Sequence, residues 1–256
     1  MTPRAHVSGC VTAWLLSTTA CGVELDGSSE AKTQLSCADT GAAATAPAGA
    51  PRVLLWGDSI SQGYGDANGK LCGSGVAALL SDRFDVYVLP YNAQTTDNGL
   101  EHVGEWLTVA DRGIAPTDWD LIHFNHGLHD TDDFGSTGSP VAAPKVSPEK
   151  YRANLVALVD HFRTQTRAKL MWASTTPRPT SDGRAGLIVE YNQIASEVMA
   201  QATPPIPTDD LYRFVTENGL RNSSDVHFTT DQTRLLAKHV AGAIRTYWDE
   251  NSGASP

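Results

Sequence analysis

Short apolar runs alternate with helix-like stretches from residue 52 to residue 247, and nothing else in the sequence narrows the fold as far. The runs at 53–56, 85–89, 120–124 and 169–173 are four or five residues long and mostly apolar. A run with no polar face is buried on both sides, as in a parallel sheet covered by helices. A fifth, shorter strand is expected near 205–210. Helices are expected at 75–84, 98–110, 187–202 and 230–247, and from Ser147-Pro148 to about 164. Ser147 suits a cap and Pro148 the first helical position. Leu100, Val103, Trp106 and Leu107 are spaced to share one helical face. Right-handed crossovers between such units predict an α/β fold: a flavodoxin-like three-layer α/β/α sandwich with a parallel five-stranded sheet.

In such a sheet, ligands sit beyond the C-terminal ends of the strands. Four segments fall there: Gly57-Asp58-Ser59, 91–96, Gly127-Leu128-His129-Asp130 and Ser174-Thr175-Thr176-Pro177. Ser59 is the candidate nucleophile; the alternative is a serine that only caps the helix it begins. His227, just before the last helix, is the candidate base, and Asp225, two residues earlier, the carboxylate that would orient it. Asp58, Asn92 and Arg178 are candidates for substrate contact, with Thr175 and Thr176 beside them.

A net charge of -10 argues against nucleic acid or an anionic membrane bound through a broad basic surface. His123, His126 and His129 have metal-ligand spacing for a helix, but along a strand successive side chains alternate faces, so no metal site is expected. Residues 1–21 read as an export signal, with Arg4 before a short apolar stretch at 11–16. The sequence Ser17-Thr18-Thr19-Ala20-Cys21 is similar to a lipoprotein leader box, with Thr18 where Leu is usual. Membrane attachment through a lipidated Cys21 is therefore an expectation. Residues 22–50 are rich in Ala, Gly, Ser and Thr and read as a flexible spacer; 51–256 is the folded domain. Cys37 and Cys72 are either a disulfide or two thiols.

Gly57-Asp58-Ser59-Ile60, Gly127-x-x-Asp130 and Asp225-Val226-His227-Phe228 together resemble the SGNH (GDSL) hydrolase superfamily, over about residues 51–248. The resemblance implies ester hydrolysis with no metal or organic cofactor, Ser59 as nucleophile and His227 as base. Three positions depart from the family pattern. The carboxylate stands two residues before the histidine, where Asp-x-x-His is usual. The third block usually reads Gly-x-Asn-Asp, its asparagine donating to the oxyanion; here His129 takes that place, and Asn125 is a second candidate donor. The second-block glycine is missing, leaving the Ser59 amide with a backbone amide of 93–96 or the Asn92 or Gln94 side chain as further donors. The wording Phe-Asn-x-Gly-Leu-His-Asp at 124–130 points to a subgroup. The expected function is an exported serine esterase acting on a small-molecule or carbohydrate acyl ester, preferably acetyl. The alternatives are a lipase or broad esterase, and a non-catalytic glycan-binding surface lipoprotein.

Overall fold

Five parallel strands in the order β2-β1-β3-β4-β5 make one sheet. They are β1 (Arg52–Trp56), β2 (Asp85–Val88), β3 (Leu121–Phe124), β4 (Lys169–Ala173) and β5 (Thr208–Asp209). The structure, a computed structural model, describes residues 45–132, 143–179, 183–220 and 225–252. The expected leader, Cys21, Cys37 and most of the spacer lie outside them. Cys72 is disulfide-bonded; every other cysteine of the chain is outside the described residues.

Side-chain alternation along β1 divides the core. Leu54 and Trp56 face one layer, Val53 and Leu55 the other. The first layer holds α3 (Thr96–Trp106), α4 (Pro148–Gln165) and α5 (Ala185–Gln201). The second holds α1 (Ser59–Gly65), α2 (Val76–Leu80), α6 (Leu211–Glu217) and α7 (Thr230–Asn251). This is the three-layer sandwich that the alternating pattern predicts. On the first face, register sets Trp56 beside Phe124 and Phe124 beside Trp172. Phe124 meets Trp172 edge-on at 5.1 Å, and Phe162 of α4 packs edge-on against both Trp56 and Phe124. Burial of each ring contributes roughly 2–3 kcal/mol, and each edge-on pair about 0.5–1.5 kcal/mol more.

Element boundaries moved where caps decide them. The third helix begins at Thr96 rather than at 98, because the Thr95 hydroxyl accepts the Asn98 amide proton. The expected 75–84 helix shrinks to Val76–Leu80. The strand near 205–210 is two residues long, paired only with β4. Helix α6 had no counterpart in the sequence reading. Its start is the Asp210 carboxylate, which accepts from the Arg213 amide. Among the described residues no helix is long and apolar enough to cross a membrane.

Candidate active site

The chain leaves β1 at Trp56 and enters α1 after only Gly57 and Asp58, so Ser59 is the first helical residue at the C-terminal edge of the sheet. Asp58 makes this turn possible. Its backbone is extended, and its buried carboxylate accepts the Ile60 amide proton at 2.9 Å. Burial raises its pKa, partly offset by the nearby His129. Asp58 is thus the cap of the helix that begins at Ser59. The Ser59 amide, in the first turn, makes no intrahelical bond.

His227 arrives from the other end of the chain. Its Nε2 lies 2.8 Å from Ser59 Oγ across 168 residues of sequence. Its Nδ1 lies 2.9 Å from Asp225 Oδ2, and Asp225 Oδ1 accepts the Val226 amide proton at 2.6 Å. The His227 hydrogen bond holds the Asp225 carboxyl below its ordinary pKa. An ionised carboxylate only accepts, so the ring proton sits on Nδ1, and Nε2 presents a lone pair to the serine hydroxyl. The approach is set by α7. Thr229 caps Gln232, and the Gln232 side chain bonds back to the Thr229 amide. An open groove of about 310 Å³ runs beside the pair, lined by Gln62, Asn68, Lys70, Leu71 and Phe228 among others. A larger cavity of about 950 Å³ lies by Arg52, Asp85 and Asp120, at the N-terminal ends of the strands, away from Ser59.

The loops after β2 and β3 complete the edge. Three amides of the first are already bonded: Ala93 to the Gly57 carbonyl, Gln94 to Asn92 Oδ1, and Thr96 to Asp130 Oδ1. Gln94 has φ 51°, the left-handed conformation for which glycine is the usual residue. Its side chain is exposed, and its carbonyl lies 3.2 Å from His126 Nδ1. Asn92 caps its own turn, so its carbonyl oxygen is committed. In the second loop Gly127 has φ 135°, and a Cβ there would lie 2.5 Å from Thr175 Oγ1. Thr175 Oγ1 in turn donates to the His126 carbonyl at 2.7 Å and so braces this loop from beneath; with Thr176 it also lines a small cavity beside Asp58 and Ser61.

Two expectations for this edge are corrected. The Asn125 carboxamide does not turn to the serine: both its protons are used, on the Ala173 carbonyl at 2.8 Å and Thr175 Oγ1 at 3.4 Å. It ties β3 to β4 and is no oxyanion donor. Arg178 binds the protein itself, donating to Asp132 Oδ1 at 2.8 Å and the Leu128 carbonyl at 3.1 Å. His129 lies with Nδ1 3.3 Å from Asp132 Oδ2 and with Nε2 buried and unpartnered. The three histidines part company: His123 meets Asp209, His126 meets Trp56 and Gln94, and His129 meets Asp132.

Sequence reasoning missed Asp132 and the roles of His126 and Asp130. Asp132 carried a faint signal, three residues after His129 in the same turn. His126 and Asp130 act on segments 32 and 34 residues away, and no local pattern marks that.

A profile of the GDSL-like lipase/acylhydrolase family matches residues 55–235. Among solved structures, the fold is similar to a lipase/acylhydrolase from Enterococcus faecalis (TM-score 0.55, 20% identity, 77% of this chain and 96% of that one). It is similar to the acetyl xylan esterase AlAXEase (0.56, 14%, 75% and 99%). It is also similar to an acetylxylan esterase from Geobacillus stearothermophilus (0.54, 15%, 79% and 96%). At these identities the likeness speaks to the fold. No curated protein matches the chain.

Proposed function

Because the chain belongs to the GDSL-like lipase/acylhydrolase family of ester-bond hydrolases, we propose that it is a serine esterase built on Ser59, His227 and Asp225. One observation carries this reading: the unbroken chain from Ser59 Oγ to His227 Nε2 at 2.8 Å and from Nδ1 to Asp225 at 2.9 Å. Ser59 Oγ attacks the ester carbonyl carbon while its proton passes to His227 Nε2. The imidazolium so formed is held by Asp225. The carbonyl oxygen becomes an oxyanion, met by the Ser59 amide and by His129 at the family's donor position. Collapse of the tetrahedral intermediate breaks the bond to the alcohol, which takes the proton from His227. Water then repeats the cycle on the acyl-enzyme: His227 removes its proton and returns it to Ser59, releasing the acid.

The proposed substrate is a short acyl ester, acetyl on carbohydrate. The open groove beside Ser59 carries Gln62, Asn68 and Lys70 along with Leu71 and Phe228. Such a mixed wall suits a hydroxyl-rich alcohol better than a long acyl chain. The acetylxylan esterases of similar fold agree with it without deciding it. Export, with a lipid on Cys21, is proposed from the sequence of residues 1–21 alone; protease added to intact cells should digest the domain, and full protection would refute it.

The chemical test compares p-nitrophenyl acetate hydrolysis by the protein and its Ser59→Ala variant. The variant should keep its fold and lose about 10^4 to 10^6 in turnover. Equal rates would leave a non-catalytic protein of the same fold. A panel of acetylated oligosaccharides against longer acyl esters then ranks the substrates.

A further inference from the structure

His129 differs from an asparagine in one respect that the geometry makes consequential. An asparagine NH2 donates whatever its neighbours do; a histidine nitrogen donates only where a proton sits. His129 Nδ1 faces Asp132 Oδ2 at 3.3 Å. Asp132 is fixed as an anion by Arg178, which reaches its other oxygen at 2.8 Å and is anchored on the Leu128 carbonyl. The proton of a neutral ring therefore goes to Nδ1, leaving a lone pair on Nε2. That nitrogen is buried and has no partner. At the family's donor position, a lone pair there would repel the oxyanion formed at Ser59. A buried N–H with no acceptor would instead be filled by it.

We propose that His129 works as an imidazolium, with one proton held by Asp132 and the other, on Nε2, donated to the oxyanion formed at Ser59. The proposal rests on the esterase reading above and adds to it a charged donor where a neutral amide is usual. The ring keeps both protons throughout turnover. Asp132 is a positioning residue: it fixes the ring and holds the charge, while Arg178 keeps Asp132 in place.

The charges around the ring come from several elements. Asp132 lies in the same turn, and Asp58 reaches it from the cap of α1; both favour the cation. Lys145, in the segment entering α4, and burial oppose it, and His126 at the end of β3 is electrostatically coupled to it. The Asp132 carboxylate beside Nδ1 is the largest influence, and it raises the His129 pKa. Two histidines must then hold opposite states. His227 must be neutral to accept the serine proton, and His129 must be charged. Activity should therefore be confined to a pH window that closes on its basic side as His129 loses its proton.

The experiment measures kcat/KM on p-nitrophenyl acetate against pH for the protein, Asp132→Asn and His129→Asn, with the His129 ring titrated by 15N NMR. The expected profile is bell-shaped. Asp132→Asn should move the basic limb to lower pH by about one unit or more, with the ring titration following it. His129→Asn, a neutral donor, should abolish the basic limb and keep the acidic one. His129→Ala should lose about 10^2 to 10^3 in kcat. A basic limb that survives His129→Asn, or a ring found neutral where the enzyme is fully active, overturns the proposal. Neither result touches the esterase reading, which stands or falls with Ser59→Ala.

Discussion

Trp56, His126 and Gln94 are joined by two hydrogen bonds in which each proton has a single place to be. The indole N–H can only donate, so His126 Nε2 accepts it at 3.0 Å. The ring proton must then be on Nδ1, and it goes to the Gln94 carbonyl. Burial holds the ring neutral, its pKa lowered to about 4. The clamp grips Gln94, the residue with φ 51° in the loop that lacks the family's glycine. His126→Phe should orphan both partners at about 1–3 kcal/mol each, lowering unfolding stability in urea by roughly 2–6 kcal/mol. It should also lower turnover, because the loop loses its hold. Adding Gln94→Gly should return part of that turnover, since glycine adopts positive φ unaided. If the double variant turns over no faster than His126→Phe, the clamp does not act through Gln94. At this scale the sequence was legible where local motifs single out residues that the fold brings together, as Gly57-Asp58-Ser59 and Asp225-Val226-His227 do for Ser59, His227 and Asp225. It was illegible where a role depends on a distant partner. Asn125 shows why: its residue type fits a donor, and only the neighbouring strand reveals that both its protons are spent.

Among the elements, the long ones were legible and the short ones were not. Helix α4 begins at Pro148 after a Ser147 cap, as its sequence signals, and β4 spans the residues expected of it. Strand β5 has two residues and α6 has seven, too few for a period to register. What places β5 is Asp209, a buried carboxylate that reaches His123 of β3 at 3.0 Å and His239 of α7 at 2.8 Å. One side chain thereby joins two strands and the helix that follows His227. Desolvation works against this anion, yet its two imidazole partners prevail and its pKa is lowered to about 2. Asp209→Ala would strand two rings, one of them wholly buried. Unfolding stability should fall by about 3–5 kcal/mol. Asp209→Asn, which keeps hydrogen-bonding capacity, should cost less. Equal and small losses in both, read from urea midpoints, would show that apolar packing alone fixes β5.

Over the whole molecule, strand–helix alternation and crossover handedness made the layered parallel architecture legible before any coordinate, and the order β2-β1-β3-β4-β5 is that of the flavodoxin-like sandwich expected as the simplest topology. The response to acid was not, because it is set by burial. Three buried groups oppose one another. His126 takes up a proton at 6.5 when unfolded and at about 4 when folded. The unfolded chain binds more protons in that window, so His126 removes about 3 kcal/mol as pH falls through it. Asp130 does the reverse. Burial raises its pKa from 3.8 to about 6, and its Oδ2 has no partner. The folded chain binds the extra proton there, so stability rises by about 3 kcal/mol as pH falls from 6 toward 4. The two contributions nearly cancel. Asp209, lowered from 3.8 to about 2, then removes about 2–3 kcal/mol as pH drops through that lower window. Asp58, whose pKa burial also raises, acts in the same sense as Asp130, so urea midpoints should not fall between pH 6 and pH 4 and should fall below that window. Asp130→Asn, the neutral isostere, takes away the compensating proton while leaving the packing. Its midpoint should fall steadily from about pH 6.5 downward. A parent protein that already loses stability between pH 6 and 4, with the slope of the variant, would mean that Asp130 stays ionised in the core despite its burial.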